Sequence, residues 1–230
     1  YLGAQWSGTA AQVNAETNTV RLFVVADSGE LFRIGSIRTA GLQRFDEEAV
    51  TPTARELIGR PATEQLIRDV QDRLLALGLF ESIIIDVDAS SPEPGKAQAL
   101  LALRELPLQQ ATVGVGYADD TGFQVTLEHT HRRILDTRWV MRNKLQLGQD
   151  QNLWAGDLMS HLQEDGWRNL LAGQAEKLTT NDETRYSWYA RLGRTRDTLR
   201  IWRLIYAEYT RALLQTSAGD NDSQALSANY

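Results

Sequence analysis

The sequence predicts a small α+β domain of β-α-α-β-β order, followed by part of an antiparallel, membrane-type β-barrel. Three observations predict it. All five prolines, Pro52, Pro61, Pro92, Pro94 and Pro107, lie at or before residue 107. Trp139, Trp154, Trp167, Trp188 and Trp202 lie after it, leaving only Trp6 before, and six of the seven tyrosines also follow it. Proline lacks a ladder donor and is kept out of central strands, whereas Trp and Tyr favour strands and membrane interfaces. Beyond Pro107 the chain also divides into seven or eight segments of period-two character, each roughly 10–16 residues long against a globular mode of ~5–6.

Composition removes several classes. The net charge of −6 has no offsetting basic face, which argues against nucleic-acid binding because few donors could neutralise phosphate. There are no cysteines, so disulfides and Cys-ligated metals are out. No run of ~18 apolar residues offers a transmembrane helix. Barrel strands need only ~10 residues of alternating character and escape that rule.

In the first part, residues 31–40 read as a strand. Phe32, Ile34 and Ser36 are expected on one face, and Arg33, Gly35 and Ile37 on the other. Asp46, Glu47 and Glu48 suit a helix start. That helix is expected to be short, interrupted by Pro52 and ended by Gly59-Arg60-Pro61. Thr63 is placed to cap a second helix, in which Leu66, Val70, Leu74 and Leu77 form one apolar stripe. Gly78 follows as its C′ residue. Residues 79–88 and 97–105 are two further strands, joined by a polar loop through Ser90, Ser91, Pro92, Glu93, Pro94 and Gly95.

A weak repeat at an offset of 78 residues matches Leu2, 4–9 and 19–26 to Leu79, 82–88 and 98–105. Residues 1–28 therefore read as the last strands of a preceding module, 29–107 as a complete one and 108–230 as the barrel portion. On this expectation the chain is a fragment of a longer protein.

The barrel strands are expected at 111–118, 122–131, 137–148, 152–161, 167–179, 184–195, 198–213 and 223–230. Turn clusters at 119–122, 148–152, 164–166, 180–183 and 195–197 separate them. Three strands alternate cleanly. In 137–148, Trp139, Met141, Leu145 and Leu147 oppose Arg138, Arg142, Lys144 and Gln146. In 184–195, Tyr186, Trp188, Ala190 and Leu192 oppose Arg185, Ser187, Tyr189 and Arg191. In 122–131, Phe123, Val125 and Leu127 oppose Gln124, Thr126 and Glu128. Strands 152–161, 167–179 and 198–213 alternate poorly, and bulges are one explanation. A lipid-facing barrel and a soluble antiparallel sheet with one wet face both fit the pattern.

Asp27-Ser28-Gly29-Glu30, Phe32-Arg33-Ile34-Gly35, Ile37 to Gly41 and Gly78-Leu79-Phe80 resemble a POTRA domain, the polypeptide-transport-associated module. Val113-Gly114-Val115-Gly116-Tyr117, the Asp119 to Gly122 turn and Glu128-His129-Thr130-His131 resemble the barrel start of TamA-like outer-membrane assembly factors, within the BamA-like superfamily. The likeness implies a bacterial outer-membrane location with the POTRA part in the periplasm. It further implies a TamB-like periplasmic partner, autotransporter-type or other unfolded outer-membrane clients, and no cofactor. It also implies that the first barrel strand, carrying Val113, Gly114, Val115, Gly116 and Tyr117, pairs with the last across a weak seam and templates an incoming strand. Gly114, Gly116 and Gly122 fit a weakly held strand, or equally a barrel corner. POTRA strand edges at 31–40 or 82–88 are further places where a guest strand could add. A BamA-like insertase or a two-partner secretion pore would share the architecture.

Catalytic signals are sparse. No serine nucleophile elbow, phosphate loop or HExxH motif occurs, and the chain does not read as an enzyme. His129 and His131 share a strand face, with His161 or Glu128 as further ligand candidates. A closed metal site wants three or four convergent ligands, so the pair reads better as polar residues near a strand end. The alternative function is accordingly a soluble β-barrel carrier or a metal-dependent enzyme using these histidines. Asp119-Asp120 reads as a turn, and Asp86 and Asp88 as a solvated face.

Overall fold

A computed structural model describes residues 4–88, 93–119, 122–180, 183–198 and 201–230. Leu2, Ser90, Ser91, Pro92, Asp120, Thr121, Asn181 and Asp182, named above in the repeat, the polar loop and two turns, lie outside the described residues. The chain divides into two compact units, Tyr1–Glu105 and Leu106–Tyr230.

The first unit opens with an antiparallel hairpin, β1 (Gln5–Asn14) and β2 (Thr19–Asp27), whose residues are all exposed. A three-stranded sheet follows, made of β3 (Ile34–Ala40), β4 (Phe80–Val87) and β5 (Ala97–Glu105). Its order is β3-β5-β4, with β5 parallel to β3 and antiparallel to β4. Strand β5 is central because its pattern is cleanest. Ala97, Ala99, Leu101 and Leu103 point to the core while Gln98, Leu100, Ala102 and Arg104 do not.

Helix α2 (Glu64–Leu75) lays Val70 and Leu74 on that core, as the stripe requires. Thr63 caps it: its Oγ1 accepts from the Leu66 N–H at 3.3 Å. Gly78, at φ 71°, takes the left-handed turn that ends the helical segment. Thr63→Ala leaves one N-terminal donor without this acceptor. It is expected to lower the unit's stability by about 1 kcal/mol, read as a shift in urea midpoint at constant slope.

Two local expectations are corrected. Pro52 does not interrupt a helix. It sits in the first turn of α1 (Thr51–Ala54), where a missing N–H leaves no bond unmade. Asp46 heads a preceding 3-10 turn, but its side chain makes no capping bond. In β3 the register shifts between Ile34 and Ser36, so the half-buried Ile37 and Thr39 follow the buried Ile34, and Ser36 is exposed. The slip occurs where a Cβ on Gly35 would lie 2.8 Å from the Lys96 Cα, so only glycine fits that approach.

The second unit is a single open sheet of eight consecutive antiparallel strands. They are β6 (Gln109–Ala118), β7 (Gly122–His131), β8 (Trp139–Gly148), β9 (Gln151–Ser160), β10 (Trp167–Thr180), β11 (Glu183–Asp197), β12 (Trp202–Thr216) and β13 (Gly219–Asn229). β12 runs on to Thr216 instead of ending at 213, β13 begins at Gly219 instead of 223, and β12 starts at Trp202 instead of 198. Thr198 and Ile201 close a turn there through two bonds of 3.1 Å, which removes those residues from the ladder.

The β8–β9, β9–β10, β10–β11 and β11–β12 registers run without a shift. Bulges therefore do not explain the weak alternation of β9, β10 and β12. Val140, Met159 and Leu170 face one another on the polar side of the sheet, where Val140 is fully buried and Leu170 nearly so. A small apolar cluster on the polar face interrupts the pattern in β9 and β10; β12 has no member in it.

Candidate functional site: the two faces and the first strand of the open sheet

Following the register across all eight strands sorts the side chains into two faces. One face is apolar. It carries Val113, Val115 and Tyr117 on β6, Phe123, Val125 and Leu127 on β7, and Leu145 and Leu147 on β8. Trp154 and Leu158 on β9, Tyr186, Trp188 and Leu192 on β11, and Ile205 and Tyr209 on β12 continue it. Most of these side chains are exposed, Val115 at 84%. Monomeric soluble proteins rarely leave so extended an apolar surface uncovered.

The other face is polar and more buried. Along β11 the half-buried residues are Ser187, Tyr189, Arg191, Gly193 and Thr195, while Trp188, Ala190, Leu192 and Arg194 between them are exposed. The charged side is thus the less exposed of the two, which is the reverse of an ordinary apolar core.

Polar side chains on that face satisfy one another across strands. Gln146 donates to Gln124 at 2.6 Å and to Gln151 at 3.0 Å. Gln151 donates to Glu176 at 2.6 Å, and Ser187 and Arg185 donate to Glu176 at 3.4 Å each. This ladder spans β7 to β11. Lys144–Glu128 (3.6 Å), Arg142–Asp157 (3.5 Å) and Arg191–Glu208 (2.6 Å) pair the remaining charges around a groove of about 460 Å³. The pairs are cross-strand neighbours, so the register makes them. Such a wall can hold water, and the charges lining its groove are spent on one another.

The five residues singled out on β6 separate by face. Val113, Val115 and Tyr117 lie on the apolar side, and the Tyr117 ring stacks at 5.0 Å on Phe123. Gly114 and Gly116 lie on the polar side. A Cβ on Gly114 would meet nothing within 4 Å, and one on Gly116 only the Gln124 side chain at 3.6 Å. Neither adopts positive φ. Packing and backbone strain therefore do not require glycine at either position, whereas Gly122 turns at φ 70°. Among the described residues β6 pairs with β7 alone.

The histidines do not converge. His129 and His131 share the apolar side with ring centroids 6.4 Å apart, while Glu128 points to the opposite side and bonds Lys144. His161 is 6% exposed, with Nε2 at 3.0 Å from the Arg132 carbonyl. Among the described residues no three His, Cys, Asp or Glu side chains could hold a metal ion.

Sequence reading missed the lock that contains His161. Arg132, 7% exposed, donates from its backbone to Leu108 O and from Nη1 to Pro107 O at 2.9 Å. It also donates from Nη2 to Gln110 at 3.3 Å. The His161 backbone N–H reaches Arg138 O at 2.7 Å. Burial, and then the Arg142 charge, pull the Arg132 guanidinium below its ordinary pKa. The lock ties the segment entering β6 to the β7–β8 and β9–β10 loops. No local pattern announces it, because its acceptors lie in two segments distant from the groups that donate to them, 107–110 and the β7–β8 loop.

No family model matches the chain. Its fold is similar to BamA from Haemophilus ducreyi lacking POTRA domains 1-3, at 14% identity and TM-score 0.58, over 99% of this chain and 48% of that one. It is also similar to CdiB from Acinetobacter baumannii, at 9% identity and TM-score 0.54, over 97% and 45%. For CdiB from Escherichia coli the values are 13% and 0.51, over 95% and 42%. The chain thus spans about half the length of the structures it matches, and over that part it shares their fold.

Proposed function

We propose that this chain belongs to an outer-membrane factor that inserts or secretes other proteins. Its second unit would face lipid with the apolar side, and its first unit would be a POTRA domain in the periplasm. The observation that carries the reading is the sidedness of the second unit. Its exposed face is apolar from β6 to β12, and its less exposed face holds a continuous polar network. A lipid surface outside and water inside satisfy both faces, whereas a soluble sheet would bury the apolar one. The neighbouring folds support it.

The POTRA reading rests on the β3–α1–α2–β4–β5 order and the quoted motifs, with β3 and β4 as the sheet edges open to a guest strand. Autotransporter-type clients and a TamB-like partner follow from the sequence resemblance. In this reading β6 is the strand that accepts an incoming client strand, through backbone groups that β7 leaves unpaired. Cysteines at Val113 and Val115 of the full-length protein are expected to cross-link to a client stalled during assembly. Controls at Leu171, exposed on the interior strand β10, are expected not to. Adducts at neither β6 position would refute the pairing role.

A further inference from the structure

The apolar face ends abruptly in charge on β11 and β12. Arg194 and Arg196 follow Leu192 on that face of β11, and Arg203 precedes Ile205 on β12. Arg196 and Arg203 stand directly opposite each other in the ladder. Like charges so placed repel, and sheets normally avoid them. Among the described residues no carboxylate pairs with either. The one acid in the cluster, Asp165, bonds Arg194 at 3.2 Å, and Gln163 holds the same guanidinium at 3.2 Å. Trp167, opposite Arg196 on β10, lies 5.4 Å from the Arg194 guanidinium and 5.9 Å from that of Arg196. The Arg196 Nε is buried and has no hydrogen-bond partner.

Among the described residues three guanidiniums therefore face one carboxylate, with a donor left over and a repulsion that no described group relieves. We propose that Arg194 and Arg196, seated against Trp167, together with Arg203 opposite Arg196, bind the phosphate of an anionic phospholipid. This inference rests on the lipid-facing reading of the apolar side. A phosphodiester accepts two or more guanidinium bonds at once and cancels the facing charges. The acyl chains of the same molecule would run along Leu192 and Ile205, the next residues on that face. This continuity favours a lipid over an acidic protein segment, whose body would have to leave the apolar side bare. Tryptophan beside arginine suits the headgroup level of a bilayer.

The test uses the full-length protein reconstituted in phosphatidylcholine bilayers doped with phosphatidylglycerol, with retained lipid measured by native mass spectrometry. The wild type is expected to retain phosphatidylglycerol over phosphatidylcholine by about tenfold, and Arg196→Gln/Arg203→Gln to lose that preference. Arg68→Gln, on α2 of the first unit, is expected to keep it. Arg203→Gln alone removes the facing charge. It is expected to raise thermal stability while lowering phosphatidylglycerol retention, a pair of changes that a structural role alone would not produce. Equal retention by the double variant and the wild type overturns the proposal. So does displacement of the lipid by inorganic phosphate, which assigns a plain anion site, or by poly-glutamate, which assigns a protein partner. Failure of the wild type to float with the bilayers overturns the lipid-facing reading itself. Flotation without a phosphatidylglycerol preference overturns this inference alone.

Discussion

Prolines placed one at a time at Val113, Gly114, Val115 and Gly116 are expected to impair client assembly in alternation, every second position being severe. Backbone groups along an antiparallel strand point alternately to one neighbour and the other. At two of these positions the N–H points toward β7, and a proline there breaks the β6–β7 ladder. At the other two the N–H points to the edge where the proposed guest adds, so the ladder survives and the docking bond is lost. Those two variants are expected to fold and reach the membrane normally, while client assembly falls at least about tenfold, from a lost bond and a ring in the path of the incoming strand. Replacing the same residues with lysine keeps every backbone donor and is expected to have a much smaller effect. A uniform loss across all four prolines, tracking protein level, would mean that β6 matters only for folding. The open space around Gly114 makes the complementary change available. Gly114→Val adds a strand-favouring side chain without a clash and is expected to tighten β6 against β7.

Glu105→Ala is expected to be the most damaging single change in the first unit. Its side chain is only 3% exposed, and its carboxylate accepts the backbone N–H groups of Gln43 (2.9 Å), Arg44 (2.9 Å) and Phe45 (3.0 Å). These amides belong to the loop that carries Phe45 into edge-on contact with Phe80, 6.1 Å between centroids. Removing the acceptor strands the donors and loosens an aromatic anchor of the core. With charged-group hydrogen bonds worth about 1.5–3 kcal/mol each and partial rescue by water, a loss of about 3 kcal/mol is expected. In a domain of this size that corresponds to a drop of roughly 15 °C in the melting temperature of the first unit. Hydrogen exchange on the intact protein should show the deprotection beginning at residues 43–45 and spreading to β3 and β5. Glu105→Gln keeps one acceptor oxygen and is expected to lose about half as much. If the alanine variant exchanges like the wild type, the carboxylate is not what holds the loop.

Much of this molecule was legible in its residues. The Thr63 cap, the Val70–Leu74 stripe and the Gly78 turn are local devices, and each was readable from three or four neighbouring side chains. The clean alternation of β8 and β11 was readable for the same reason, since pleat geometry alone assigns every second residue to a face. The reading failed where a distant group decided the outcome. Pro52 looked like a breaker, but the turn starting at Val50 put it where proline is tolerated. Ser36 was assigned to the buried face, but the close approach of Lys96 to Gly35 shifted the register. Bulges were one explanation for the weak alternation of β9 and β10, but there Val140, Met159 and Leu170 meet across the strands.

The sequence by itself determined the two-part plan, a run of seven or eight long strands and the apolar and polar sides of the best of them. These follow from proline placement and from a period of two, both properties of the chain's own covalent geometry. Only the tertiary structure decided which strands neighbour which, and with that came the Gln124–Gln146–Gln151–Glu176 ladder, the Arg132–His161 lock and the facing pair Arg196–Arg203. Each joins residues whose separation along the chain carries no signal. Cross-strand register is set by the sum of many weak pairings, and no segment contains that sum.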